Sequence, residues 1–131
     1  MKKFYGKILI FIVVHINFSF SNQENALEKI KKAIEITSSK EIINFLHHDS
    51  EINIDNKLIK GNNNETEIAL KNFFENNPSK EINFIHEGDI NNQITYILAN
   101  YKTINDNYTI VIFVKNLSET LIINRLIINK E

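Results

Sequence analysis

The chain has 131 residues, a formal net charge of −1 and no cysteine. This length suits one domain, and the lack of cysteine excludes disulfides, thiolate nucleophiles and thiolate metal sites. A chain without excess positive charge is poorly suited to nucleic acid or to an anionic membrane surface, because both are bound mainly through clustered lysine and arginine.

The first 21 residues have the composition of a signal peptide. Three lysines precede residues 8–14, an unbroken apolar run that is shorter than the ~20 residues needed to cross a bilayer. Small residues at Ser19 and Ser21 favour cleavage near Ser21 and Asn22, so we expect export to the periplasm or the extracellular space. An uncleaved anchor or a buried first helix is the alternative.

Cleavage would leave residues 22–131 as a single domain without a stable membrane span. Three of the 15 basic residues lie before residue 22 and none of the 16 acidic ones does, so 12 basic residues would face 16 acidic ones. The resulting net charge of −4 again argues against nucleic acid as a partner.

Three helices are predicted in the first part of this domain. Residues 22–36 place apolar side chains three and four positions apart, the spacing of a helix with one buried face. Ser38 and Glu41 form a capping box that opens a second, short helix, which we expect to end near the two histidines that follow it. Asn64 caps a third helix, and Pro78 ends it because proline cannot donate the next backbone hydrogen bond.

Strands are predicted around and after the third helix. Residues 51–59 are predicted to form a small hairpin or a bent strand, and four longer strand-like runs follow at 81–87, 93–103, 108–115 and 119–129. Short connections favour antiparallel neighbours. The pattern therefore predicts an α+β fold in which two or three helices pack on a curved, cone-like antiparallel sheet.

The last two predicted strands are apolar on both faces. Val111 and Phe113 lie on one face of their strand and Ile110 and Ile112 on the other. The final strand alternates in the same way, with Leu121, Ile123 and Ile127 on one face and Ile122, Leu126 and Ile128 on the other. A half-exposed antiparallel strand is normally polar on one side. Because three helices can cover one face only, we expect the second face to meet another copy of the chain or a different partner. Strong curvature that hides both faces inside a closed cone is the alternative.

The order of elements resembles the nuclear transport factor 2-like, or cystatin-like, fold. More narrowly, the stretches ALKNFFENNPSKEINFIHEGD, TYILANYKT, NYTIVIFVK and LIINRLIINKE are similar to the small exported bacterial family called domain of unknown function 4783. The residues that match its motifs are Phe73, Phe74, Asn77, Pro78, His86 and Gly88. The resemblance implies export in Bacteroidota-like bacteria, the conical fold and no assigned activity. Ala99 and Thr109 depart from it, at positions where relatives tend to have glycine and arginine.

His86 is the first candidate for chemistry. It follows Ile82 and Phe84 at alternate positions of its strand, so we expect its ring to face the helices. There it acts as a general base, or it donates a hydrogen bond to a backbone carbonyl and holds the corner at residues 87–89. We favour the structural role.

Four further residues are candidates for lining a pocket or binding a ligand. Arg125 interrupts an apolar face, so it needs an anionic partner or a path to solvent. That partner is a ligand carboxylate, an acid of a second subunit or an internal acid such as Glu87. Asn124 points to the other face and also requires hydrogen bonds. Tyr96 and Tyr101 lie on opposite faces of their strand, where they line a pocket or pack in the core.

His47, His48 and Asp49 follow one another at the predicted end of the second helix. Side chains of adjacent helical residues diverge by about 100°, so two such histidines are poorly placed to bind one ion. We therefore expect no metal site and no cofactor.

Two classes of function fit these observations. The first is an exported non-enzymatic domain that binds a small apolar ligand, an envelope protein or its own copy through the cone interior or the sheet face. The second is a small isomerase or dehydratase with His86 as its base. Such enzymes need an interior acid, but the only carboxylates after residue 90 lie in predicted turns or at the terminus, at Asp106, Glu119 and Glu131. This distribution favours the first class.

Overall fold

The computed structural model describes the backbone of residues 20–131 and the side chains from residue 25 onward. The helices in this part of the chain are α1 (Phe20–Glu35), α2 (Ser39–Asn44) and α3 (Asn64–Asn76). The strands are β1 (Leu46–Ile54), β2 (Lys57–Lys60), β3 (Glu81–Asp89), β4 (Ile94–Lys102), β5 (Asn107–Leu117) and β6 (Thr120–Lys130). None of the described helices combines the length and the apolar character that a membrane span requires. The predicted signal peptide lies almost entirely outside the described residues.

The strands form one sheet in the order β2-β1-β6-β5-β4-β3. Neighbours are antiparallel except β1 and β6, which run parallel and pair Ile52 with Leu126 and Ile54 with Ile128. The predicted α+β class is confirmed, but the sheet is mixed. Short turns determine how consecutive strands pair, whereas β1 and β6 are the first and the last strand that the structure describes and no turn joins them.

Side-chain caps delimit the helices. Ser38 Oγ accepts a hydrogen bond from the Glu41 N–H, as the capping box predicts. The cap of α3 is Asn63, one residue earlier than predicted, and its Oδ1 accepts from the Thr66 N–H at 3.1 Å. α3 ends at Asn76, immediately before the Asn-Pro pair, because proline disfavours helical angles in the residue that precedes it.

The second helix is shorter than predicted. It ends at Asn44, and the chain enters β1 two residues later, so His47 and His48 lie in a strand. A hydrogen bond from the Ile123 N–H to the Phe45 carbonyl, at 2.7 Å, ties this entry to β6. The helix therefore ends where the chain begins to pair with β6.

The helices cover one face of the sheet and form a single core with it. The residues of this core that are fully shielded from solvent come from α1, α2, α3 and four strands: Ile30, Ala33, Ile34, Ile42, Ile52, Leu70, Ile97, Ala99, Tyr101, Ile110, Ile112, Ile123, Leu126 and Ile128. A β-bulge in β6 puts Ile123 and Leu126 on this same face, because Phe113 pairs with Arg125 while Val114 pairs with Ile123. The prediction that Ile123 shares a face with Ile127 is therefore wrong.

Candidate functional site

The face of the sheet opposite the helices, here called the outer face, carries a continuous apolar area. Paired residues in a ladder share a face, so the strand registers identify its members. One row crosses the sheet through Glu51, Arg125, Phe113, Tyr96 and Gly88, and the next row through Asn53, Ile127, Val111, Leu98 and His86. The apolar patch is defined as the partly exposed residues Tyr96, Leu98, Val111, Phe113 and Ile127.

Charged side chains border this patch on two sides. Glu51 lies 3.8 Å from both Arg125 and Lys60, on the side of β1 and β2. Lys102 lies 3.8 Å from Glu81, at the end of β3 and β4. These pairs are exposed and contribute little stability, but they give the rim both signs of charge.

His86 lies on the outer face and is exposed, so the prediction that it faces the helices is wrong. The cause is a β-bulge at Ile85, since Phe84 pairs with Ala99 while His86 pairs with Leu98. One extra residue in a strand reverses the face of every side chain after it. Glu87 consequently points towards the helices, which is the direction that strict alternation predicts for His86.

Gly88 and His86 both contact the ring of Tyr96. The ring centroids of His86 and Tyr96 are 5.3 Å apart. Gly88 pairs with Tyr96, and a Cβ atom at position 88 would lie 2.9 Å from its ring. The His-x-Gly motif thus has a packing role: the glycine leaves room for the tyrosine ring, and the histidine packs beside it.

Glu87 binds α1 rather than Arg125. Lys31 Nζ donates to Glu87 Oε2 at 3.0 Å and to Glu28 Oε1 at 3.3 Å, and the Lys31 side chain is only 17% exposed. Burial alone would lower the pKa of Lys31, but the hydrogen bonds to the two glutamates outweigh burial and raise it. This ion pair lines one side of a cleft of about 170 Å³ between α1 and β3.

Tyr101 belongs to the core, where an aromatic cluster fills the space between α3 and the sheet. The cluster consists of Phe73, Phe74, Tyr101 and Tyr108. Asn77 links its polar groups, because the Tyr101 hydroxyl donates to the Asn77 carbonyl and the Tyr108 hydroxyl donates to Asn77 Oδ1 at 2.9 Å. Asn77 Nδ2 in turn donates to the Phe73 carbonyl at 2.9 Å, at the end of α3. Burial raises the pKa of both tyrosines.

The remaining candidates lie in β6. Asn124 is the extra residue of the bulge, and Arg125 is 47% exposed with Glu51 as its partner. The suggestion of Glu87 as that partner is wrong, since β5 and β4 separate β6 from β3. The structure thus brings His86, Tyr96 and Arg125 to the outer face and leaves Tyr101 on the opposite one. Sequence reasoning missed Glu51, because its pairing depends on the parallel contact of β1 with β6.

Several solved structures share this fold. A DUF4783 family protein from Bacteroides uniformis superposes with a TM-score of 0.71 at 21% identity, over 79% of this chain and 95% of that chain. A domain of unknown function with a cystatin-like fold from Nostoc punctiforme has a TM-score of 0.64 at 13% identity, over 86% and 76% of the two chains. An NTF2-like protein of unknown function from Shewanella baltica has a TM-score of 0.60 at 15% identity, over 86% and 93%. At these identities the likeness establishes the fold alone.

Comparison of sequences gives the family. No curated protein matches the chain. The family model described as "Domain of unknown function (DUF4783)" matches residues 27–129, so the chain belongs to the DUF4783 family.

Proposed function

We propose that this protein is an exported, non-enzymatic domain that binds a second copy of itself through the apolar patch and its charged rim. The observation that carries the proposal is the partial exposure of Tyr96, Leu98, Val111, Phe113 and Ile127 side by side on the outer face. The helices that the structure describes lie on the other face of the sheet. A contiguous apolar area with polar surroundings is typical of a protein interface.

The size of the outer face supports a second copy as the partner. Five of the strands have at least nine residues. With strands ~4.8 Å apart and a rise of ~3.3 Å per residue, they span roughly 700 Å². A standard interface buries about 800 Å² on each partner, so one face-to-face contact would use the whole surface.

The charges of the rim also support self-association. The rim has two carboxylates, Glu51 and Glu81, beside three cations, Arg125, Lys60 and Lys102, so both signs of charge are present on the outer face. A two-fold dimer places each patch against an identical one, which a strongly acidic or basic face would oppose through like-charge repulsion. The mixed rim removes that obstacle.

The interior offers weak support for catalysis. Among the described residues, the buried polar side chains are Ser50 and Thr66, and neither is an acid or a base. The hydroxyls of Tyr101 and Tyr108 are bound to Asn77. His86, the proposed base of the isomerase alternative, is exposed on the outer face. These placements favour binding over a reaction inside the fold.

The dimer is tested by light scattering coupled to size-exclusion chromatography. We expect a dimer for the unmodified protein and a monomer for Phe113→Asp and for Val111→Asp, because both variants bury a carboxylate in the contact. The matched control is Ile104→Asp, which makes the same type of exchange at a side chain that is 88% exposed and lies in the β4–β5 turn. Circular dichroism verifies that each variant is folded. A monomeric unmodified protein, or a dimer that survives both patch variants, would contradict the proposal.

Export is tested separately, by fractionating bacteria that express the untagged chain and measuring the mass of the protein recovered. The basic and then apolar order of the first 21 residues supports a mature protein that begins near Asn22 and lies outside the cytoplasm. Recovery of the uncleaved chain from the cytoplasm would contradict export and would leave the dimer proposal unaffected.

A further inference from the structure

Three side chains that commonly ligate metals lie together on β1. The ligand atoms of His47, His48 and Asp49 are all within 4.8 Å of one another. His48 Nε2 is 3.2 Å from Asp49 Oδ2, and His47 Nδ1 is 3.9 Å from the same oxygen. The centroids of the two imidazole rings are 3.9 Å apart. These three residues are called the His–Asp cluster.

An irregular stretch of β1 brings these consecutive side chains together. Leu46 pairs with Ile123 and Glu51 with Arg125, so β1 advances five positions while β6 advances two. The three additional residues of β1 interrupt the alternation that would otherwise send adjacent side chains to opposite faces. The cluster therefore arises from a feature of the fold that neither a regular helix nor a regular strand provides.

Hydrogen bonds hold the backbone of this stretch from two sides. Ser50 is buried, and its Oγ accepts from the His47 N–H at 2.8 Å and donates to the Ile123 carbonyl at 2.6 Å. From the other side, the Gly61 N–H donates to the Ser50 carbonyl at 2.9 Å. Gly61 has a φ of +94°, and a Cβ atom there would lie 3.3 Å from the His48 carbonyl oxygen. A backbone fixed in this way lowers the entropic cost of bringing three ligands to one ion.

The distances fit a tetrahedral ion after small side-chain rotations. Bonds of ~2.0–2.1 Å to nitrogen and oxygen place neighbouring ligand atoms of a tetrahedral Zn²⁺ site about 3.3 Å apart. The 3.2 Å separation already meets this value, and the 3.9 Å separation requires a movement of less than about 1 Å. The ligand atoms of the two histidines lie within 4.8 Å of each other, so they require a movement of at most about 1.5 Å. His48 and Asp49 are 73% and 80% exposed, so their side chains are free to make it.

We propose that the His–Asp cluster binds one late first-row divalent cation, with Zn²⁺ as the ion that its ligands and geometry suit. Two imidazoles and one carboxylate match Zn²⁺, whereas Mg²⁺ and Ca²⁺ prefer sites built entirely from oxygen. The ion replaces the 3.4 Å hydrogen bond that the Asp49 N–H donates to His47 Nδ1. Three protein ligands leave the fourth position to water or to a group on another molecule.

The site is tested by titrating ZnCl₂ into the purified full-length protein, made without a histidine tag, in a calorimeter. We expect one Zn²⁺ per chain with a dissociation constant on the order of 10 µM, weaker than closed four-ligand sites because one position is open. Loss of an outer-shell group already costs ~10–100-fold in metal affinity, so loss of a ligand in His47→Asn or His48→Asn should weaken binding at least tenfold.

His86→Asn is the matched control, because it makes the same exchange at an exposed histidine outside the cluster. It should bind Zn²⁺ like the unmodified protein, and excess Mg²⁺ should not displace the ion. Amide chemical shifts should change at residues 46–51 and 61–62 when Zn²⁺ is added. A titration without saturable binding, equal binding by the His48→Asn variant, displacement by Mg²⁺ or shift changes centred elsewhere would each overturn the proposal.

Discussion

Gly88 lies directly across the strand pair from Tyr96, and the tyrosine ring occupies the space that a side chain at position 88 would need. A Cβ atom there would be 2.9 Å from Cε1 and 3.0 Å from the hydroxyl oxygen of Tyr96. The glycine therefore leaves room for the tyrosine ring and does not serve an unusual backbone angle.

This contact predicts that the effect of Gly88→Ala depends on Tyr96. In the unmodified protein, the exchange should lower the free energy of unfolding by up to about 1 kcal/mol, because the new methyl group displaces the partly exposed ring of Tyr96. In a Tyr96→Ala background it should be neutral or stabilising by up to about 1 kcal/mol, since glycine weakens a strand when nothing requires it. Urea denaturation of the four proteins measures both values. An equal cost in both backgrounds would show that Gly88 has some other role.

Asn77→Ala should be destabilising. The exchange removes the acceptor of the Tyr108 hydroxyl in a partly buried place, whereas the Phe73 carbonyl keeps its hydrogen bond from the Asn77 N–H. Leaving the hydroxyl unpaired costs about 1–3 kcal/mol, so we expect a loss of that size. Asn76→Ala, at the exposed neighbouring position, is the control and should change the unfolding free energy by less than about 0.5 kcal/mol.

The Tyr108→Phe exchange measures how much of this loss comes from the unpaired hydroxyl. In the Asn77→Ala background it removes the unpaired hydroxyl and should recover part of the lost stability, whereas in the unmodified protein it should destabilise by about 1 kcal/mol. Strictly additive effects in this cycle would contradict the link between Asn77 and Tyr108.

Local signals in the sequence predict the helices better than they predict the sheet. Ser38, Glu41 and Pro78 mark helix ends through hydrogen bonds and angles within a few residues, so the pattern is sufficient. The pairing of β1 with β6 joins segments about 70 residues apart in the chain. No local rule determines that contact, and both the parallel direction and the Glu51–Arg125 pair depend on it.

The candidate site was mispredicted where bulges change the phase of a strand. Alternation from Ile82 and Phe84 directs His86 inward, but the extra residue at Ile85 sends it outward. The same effect at Asn124 moves Ile123 into the core. A bulge has no clear signature in the amino-acid composition of a strand. The face of each residue beyond it therefore cannot be predicted by counting positions along the strand. The prediction that β5 is apolar on both faces does not depend on phase, and it identified the apolar patch.

Alkaline solution should destabilise the fold through its buried phenols. Burial raises the pKa of Tyr101 and Tyr108 above the reference value of about 10 that applies in the unfolded chain. Below that value both states are protonated and these groups add no pH dependence. Above it the unfolded chain loses protons that the folded chain retains, so the free energy of unfolding falls as pH rises.

Urea unfolding between about pH 8 and pH 11 measures this slope, and the absorbance of tyrosinate follows ionisation. The slope should be shallower in Tyr108→Phe than in the unmodified protein, and the buried phenols should ionise together with unfolding. Ionisation of all tyrosines in a protein that remains folded would contradict the prediction.

Exchanging both charges of the ion pair between α1 and β3 should recover part of the stability that is lost when only one of them is reversed. Lys31→Glu places a third carboxylate beside Glu87 and Glu28, so it should lower the free energy of unfolding by about 1–2 kcal/mol. Adding Glu87→Lys rebuilds an attractive pair at the same place and should recover about 1 kcal/mol, a modest value because Glu87 is partly exposed to solvent. Lys32→Glu is the control, since Lys32 lies on the exposed side of α1 and, among the side chains from residue 25 onward, forms an ion pair with Glu35 alone. Equal losses of unfolding free energy in the Lys31→Glu and Lys32→Glu variants would contradict this prediction. The loss would then come from the changed net charge, and the ion pair with β3 would not stabilise the position of α1.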